Sequence, residues 1–397
     1  MKRPTPRRLL HYVSAVLRLG HFLKYPGDGR PQPDIPARTL LWAILLGRLL
    51  RETSFHGIEQ LVRLSGCRAL GVNRAFGDDA LGYFTERLDP APTRAALVDT
   101  LRLAKRNKAF ENSRFIGLAI DGTTTGRCRH DGCPQCRPFR DDRKQIIGYR
   151  HHLAAISVVG TGLSLPIDAE PYGPGDSEYA AGKRLLGRAV NALGGRFADY
   201  VVVDSNFAKA PFLHATEAAG LPVLARLQGN LPELSAAVEK RFRQQPPARV
   251  YAEGNDRIEI WDADDFDPWE TLDWPTVRVL RYRQHKPDGQ VIEADWLTNF
   301  PPAKAGSLSL YRMAKSRWEI ENQGFNDTKN RYGLEHVCHH HANSILVNWL
   351  LIFLAVVIER LYRTRYLHRG NHPARSAEQL CRILWLGLSP TAALDSG

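Results

Sequence analysis

No apolar run in this 397-residue sequence is long enough to span a bilayer. The longest, Trp349 to Ile358, is bounded by Asn348 and Glu359 and reads as a buried helix. The first 27 residues contain no acid, only the cations Lys2, Arg3, Arg7, Arg8, Arg18 and Lys24. An export leader would tolerate that, but His11 and Arg18 interrupt the apolar core it needs. The expectation is a cytoplasmic protein with no membrane partner. Disulfides are disfavoured there, so the six cysteines call for another reading. No internal repeat or low-complexity tract is present, which sets aside repeat and disordered architectures.

What is present is ordinary globular composition, 43% hydrophobic and 24% charged, with length for two or three domains. The net charge of +12 suits a polyanionic partner, of which nucleic acid is the commonest.

Residues 1–110 read as helical. Leu40 to Glu52 is apolar on a broad face, Asp78 or Asp79 is a candidate N-cap, and Thr93 to Arg106 repeats apolar residues at helical spacing. The segment suits a DNA-binding region or an N-terminal scaffold equally; no clean helix-turn-helix stands out. From Phe115 the texture changes. FIGLAID, YRHHLAAISVV and LSLPIDAE read as strands, EYAAGKRLLGRAVNAL as a helix, and DYVVVDSNF as another buried strand. Helix and strand then alternate, which predicts a mixed α/β sheet over 111–228. Residues 229–300 read as a β-rich insertion carrying Trp261, Trp269, Trp274 and Trp296, with a hairpin turn at Pro287-Asp288-Gly289. Residues 301–370 return to helix, and 371–397 form a tail with one short helix.

Two acids close apolar strands. Asp121 follows FIGLAI and Asp204 follows YVVV, where α/β sites form. Each alone would serve equally as a turn-forming or capping Asp. A third acid lies in the helical stretch YRMAKSRWEIENQGFNDTKNRYGLEH. Arg317 and Glu321 are i, i+4 and share a face, and flanking Trp318 and Phe325 aim Glu321 at the packed body. Glu319 lies about 200° round the helix from that face and is expected to pair with Lys315 on the surface. Acids on strand ends facing an acid on a helix suit a pair of hard divalent ions, which prefer oxygen ligands. A plain structural pair with Arg317 is the other reading of Glu321.

The order strand-Asp, strand-Asp, β-rich insertion and a helix reading Y-R-x(4)-R-W-x-I-E-N resembles the insertion-sequence DDE transposases. The branch concerned has a ribonuclease-H-like core, a β-rich insertion before the third acid and a Tyr-Arg-Glu-Lys signature. The resemblance spans residues 40–365 and is strongest at FIGLAIDGT, YVVVDSNF and RWEIENQGFNDTKN. It implies that Asp121, Asp204 and Glu321 hold two Mg²⁺ or Mn²⁺ ions, that Arg317 holds a phosphate, and that Lys329 contacts the DNA backbone. It further implies transposon ends and target DNA as partners, and at least a dimer to bring two ends together. Two positions depart from the signature. Its Tyr position is Ala314, the Tyr standing at Tyr311, and its Lys position is Thr328, the Lys standing at Lys329. On a continuous α-helix the eight-residue step turns Lys329 about 80° off the Glu321 face. The hairpin intermediate of that branch is therefore not carried over.

GRCRHDGCPQC places Cys128, His130, Cys133 and Cys136 together, and the two-residue spacing of the last two lets both thiolates reach one tetrahedral ion. His151 or His152 would be further ligands, and reduced surface cysteines are the alternative. His339 to His341 would make a poor chelate on a helix, where adjacent residues diverge. Arg363 and Arg365, interleaved with Tyr362 and Tyr366, suit backbone tracking, and Trp296 is the candidate for stacking on a base, a tryptophan packed in the sheet being the other reading. The basic loop 127–144 would also touch DNA.

The expected fold is therefore α/β, a ribonuclease-H-like mixed sheet with a helical N-terminal domain and a β-rich insertion. The expected reaction is cleavage of transposon ends and strand transfer. A structure-specific nuclease of the same fold, or a zinc-containing DNA-binding protein without catalysis, are the alternatives.

Overall fold

The computed structural model describes residues 5–63, 72, 74–367 and 376–388. The tail expected over 371–397 therefore lies partly outside the described residues. Up to residue 106 the regular elements described are helical: α1 (Pro6–His11), α2 (Gly20–Lys24), α3 (Ala37–Leu49), α4 (Phe55–Val62), α5 (Asp78–Arg87) and α6 (Pro90–Arg106), with a π-helical turn at Tyr12–Val16. Asp89 caps α6 and Pro90 opens it, where the missing N–H costs nothing. The N-cap of α5 is Gly77, not Asp78 or Asp79; both acids sit in the first turn, where their charge meets the positive end of the helix.

The sheet begins with β1 (Gly117–Cys128), β2 (Arg137–Arg140), β3 (Ile146–Val159) and β4 (Leu165–Pro171). After α7 (Glu178–Leu193) come β5 (Tyr200–Val203), α8 (Ala210–Ala218) and β6 (Val223–Leu227). The strand order β4–β3–β1–β5–β6, with β3 antiparallel to its neighbours and β1, β5 and β6 parallel, is the ribonuclease-H-like arrangement. Helix α9 (Pro232–Gln244) leads into β7 (Arg249–Glu253), β8 (Asp256–Phe266), β9 (Val277–His285) and β10 (Val291–Thr298). The β-rich insertion is not a separate sheet. β10 pairs antiparallel with β6, so β10, β9, β8 and β7 continue the core sheet to ten strands.

The chain then forms α10 (Ser307–Glu319), a π-helical turn at Ile320–Phe325, α11 (Asn326–Tyr332), α12 (Ala342–Tyr366) and α13 (Ala377–Leu386). α12 contains the longest apolar run. At 25 residues it is long and apolar enough to cross a membrane, yet 94% of its most apolar stretch is buried within the protein. It packs on β4 and against α3, α5 and α6. One of its cations is tied inside. Arg360 is buried, donates to the carbonyls of Ser164 and Gln323, and pairs with Asp327 at 3.0 Å. Its guanidinium, part of the basic run beside Arg363 and Arg365, thus serves the core rather than the surface.

Candidate active site

Asp121 and Asp204 meet because of strand register. The parallel pairing of β1 with β5 ends at Ile120 opposite Val203, and the two acids are the next residues on each chain. β1 does not stop at Asp121, as its apolar run suggested; it continues to Cys128, with Asp121 opposite Ala155 of β3. Asp121 accepts from the Gly122 N–H at 2.9 Å and from Arg317 Nη1 at 3.2 Å. Asp204 caps the 3₁₀ turn Ser205–Phe207 by accepting from the Asn206 N–H at 2.9 Å. Capping and site roles thus coincide in one residue.

The acid that joins them is Glu178. Ser177 caps α7 by accepting from the Ala180 N–H at 3.2 Å, which fixes Glu178 at the first helical position, directed at the sheet. A carboxylate oxygen from each of Asp121, Glu178 and Asp204 lies within 4.8 Å of the others. Burial, then Asp204 and Asp121, raise the Glu178 carboxyl to about 7. Burial raises Asp121 to about 6 against the opposing charge of Arg317, with Asp204 and Glu321 adding to the rise. Burial also raises Asp204. Sequence reasoning identified helix α7 but not Glu178. The available signal was an acid directly after a Ser cap, at the start of the helix that follows the first three long strands.

Glu321 stands at the rim. Its side chain is 51% exposed and meets Arg317 Nη2 at 3.5 Å, so Arg317 bridges it to Asp121. The expected inward aim is corrected. The buried stripe of this helix runs through Leu310, Met313, Ala314, Ile320 and Gly324, and Glu321 lies beyond its edge. Glu319 is the acid that turns inward. It accepts from the Gly160 N–H at 3.0 Å, and burial raises its carboxyl. Lys315, its expected surface partner, donates instead to Gln284 Oε1 at 2.9 Å.

The π-helical turn Ile320–Phe325 also corrects the expected offset of Lys329. A π turn closes i→i+5 bonds and so takes up one more residue per turn than an α-helix. Eight residues from Glu321 then sweep the angle of about seven, which leaves Lys329 within about 20° of the Glu321 face. Thr328, at the signature position, is instead buried and donates to the Gly324 carbonyl at 2.8 Å. Lys329 pairs with Glu335 at 3.2 Å.

The other candidate DNA contacts divide by burial. Tyr311 is buried, donates to Glu253 Oε2 at 2.8 Å and packs edge-on against Tyr282. Trp296 is wholly buried, edge-on to Trp318 at 5.9 Å between ring centroids. Neither ring presents a face to a base, because the insertion continues the core sheet and encloses both. Arg363 is half-buried against Glu359, and Arg365 is exposed, its guanidinium over Tyr366.

The cysteine cluster is partly as expected. Cys133 and Cys136 converge on His151, whereas His130 is exposed and not among the converging residues, and His152 packs against Tyr172. His339 to His341 are not on a helix. His340 Nε2 lies 3.4 Å from Cys128 Sγ, and His339 pairs with Glu86 at 2.6 Å.

Comparison with known proteins gives a family and similar solved structures. No protein of curated function matches the sequence. Among solved structures, the cryo-EM structure of the piggyBac transposase synaptic complex with hairpin DNA is similar to this chain at a TM-score of 0.48 and 11% identity, covering 99% of this chain and 82% of that one. A family model described as the transposase DDE domain matches residues 113–358, a span that includes Asp121, Glu178, Asp204 and Glu321 and well over half the sequence. The chain belongs to the transposase DDE domain family.

Proposed function

We propose that this transposase is the enzyme of an insertion sequence, cutting the element's ends and joining them to target DNA with divalent metal at the Asp121, Glu178 and Asp204 carboxylates. The observation that carries the reading is the convergence of these three acids, within 4.8 Å of one another, from within β1, just after β5 and at the start of α7. Their chemistry fits Mg²⁺ or Mn²⁺: all donors are oxygens, and each acid is held above its ordinary range by burial. Such a cluster is repulsive when ionised, and Arg317 opposes only part of that charge. Glu321 would complete the donor set from the rim. Two bound ions would activate the attacking water or 3′-hydroxyl and stabilise the leaving oxygen.

The chain's own residues do the rest. Arg317 holds Asp121 and Glu321 together, and its buried Nε makes no hydrogen bond. A phosphate oxygen drawn to its guanidinium would sit directly beside the acids. Lys329 follows on the same helical face and would hold the next phosphate along the strand. Arg127, Arg129, Arg140, Arg143 and Lys144 are exposed on the β1–β2–β3 arm and Arg365 on α12, where they would track the backbone. The protein would act as at least a dimer, because two ends must be cut and joined together.

A strand-transfer assay on labelled transposon ends tests this. Wild type should give cleaved and joined products in Mg²⁺ or Mn²⁺, and Asp204→Ala should lower both by about 10³-fold or more, since metal activation supplies several kcal/mol of the barrier. An unchanged Asp204→Ala protein would end the reading. Cleavage without any joined product would make the protein a nuclease of the same fold.

A further inference from the structure

The Cys-rich loop, the end of β1 and the middle of β3 come together around a second donor cluster, chemically unlike the acid site. Cys133 Sγ lies 3.8 Å from Cys136 Sγ, and His151 Nε2 lies 3.2 Å from the first and 3.4 Å from the second. Tetrahedral zinc with ordinary Zn–S and Zn–N bonds separates two sulfurs by about 3.8 Å and a sulfur from a nitrogen by about 3.5 Å. The three atoms already stand close to the edges of that tetrahedron. A disulfide would need the sulfurs at about 2.05 Å. His151 is wholly buried, and its Nε2 faces both sulfurs.

We propose that Cys133, Cys136, His151 and Cys128 bind one structural zinc ion. Cys128 ends β1 just outside the cluster formed by the other three, and would close on the ion as the fourth ligand. His340 Nε2, 3.4 Å from Cys128 Sγ, supports that ligand from outside the metal shell. The zinc fastens loop 129–136 onto two strands of the sheet. His151 lies on β3 opposite Thr125, four residues beyond Asp121 on β1. The site therefore anchors the base of the basic β1–β2–β3 arm to the strand that carries Asp121. Through His340 it also reaches the segment that links α11 to α12. A loop of this polarity has little apolar surface to hold it, and the ion supplies the ordering energy.

The test is metal content and does not depend on DNA cleavage. Full-length protein grown with zinc should contain about one equivalent per chain by mass spectrometry. The same content is expected in Asp121→Asn/Asp204→Asn, which removes the acid site as a source. Cobalt exchanged for zinc should give visible bands of a tetrahedral thiolate site. Cys133→Ser, Cys128→Ser and His151→Ala should each bind zinc at least tenfold more weakly, His340→Ala less than tenfold, and His130→Ala as wild type. Folded wild-type protein with under a tenth of an equivalent of zinc overturns the proposal, as does full zinc retention by Cys133→Ser and His151→Ala. If Cys133→Ser does not fold, the wild-type stoichiometry and cobalt spectrum decide alone.

Discussion

The carboxylate of Glu178 occupies the space a side chain at position 122 would need: a β-carbon on Gly122 would fall 2.4 Å from Glu178 Cδ. The glycine after Asp121 is what lets an acid on α7 reach Asp121 and Asp204. Glu178→Gln is therefore expected to weaken Mn²⁺ binding at least about tenfold, as expected for loss of an ionised oxygen ligand. Gly122→Ala should act in the same direction by displacing Glu178 without changing the charge of the site. Calorimetric titration of both variants with Mn²⁺ checks this, and wild-type affinity in Glu178→Gln would remove Glu178 from the site.

The same acids make stability depend on pH. Asp121 is raised to about 6 and Glu178 to about 7, so the metal-free folded state holds more protons than the unfolded chain between about pH 4 and 7. These groups favour folding at low pH, and that contribution is lost as pH rises through 6 and 7. For Asp121, rising from 3.8 to about 6, the effect is about 3 kcal/mol at most. Bound cation should reverse it, since ligands must be deprotonated to bind. Thermal melts should show a larger Mn²⁺-induced rise in Tm at pH 8 than at pH 5. Equal increments at both would disprove the coupling.

Lys329 supplies a third expectation. The π-helical turn brings it onto the Glu321 face, while Thr328 is buried beneath. Lys329→Ala should reduce the salt dependence of DNA binding by about one phosphate contact. Moving the lysine to the signature position, as Thr328→Lys/Lys329→Ala, should fail to restore it and should destabilise the protein, because the new cation would be driven into the core. A restored salt slope would show that the turn does not set the register.

Much of this was legible from residue order alone. Asp121 and Asp204 declare themselves because buried β-strands are apolar runs and the first acid after each stands out. Glu178 does not, since a glutamate in the first turn of a capped helix is ordinary surface chemistry until the fold shows what that turn faces. Trp296 and Tyr311 turn inward for a related reason. Alternating strands look half-exposed in sequence, but β10 joins β6 and buries the face that carries Trp296. The π turn leaves no periodic trace, so the expected offset of Lys329 follows from α-helical geometry that the chain does not keep.

Helix α12 packs at once on β4 and on α3, α5 and α6, yet it is made near the end of the chain. Until it is made, the faces of α3, α5 and α6 that pack against it have no cover from it. Ribosome-arrested chains ending near residue 335 should accordingly be cut rapidly by protease within residues 37–106, and chains extended past residue 366 should resist. Early protection would mean that the amino-terminal helices close on one another unaided. Otherwise a fragment cut short before α12 would expose these faces to protease and aggregation.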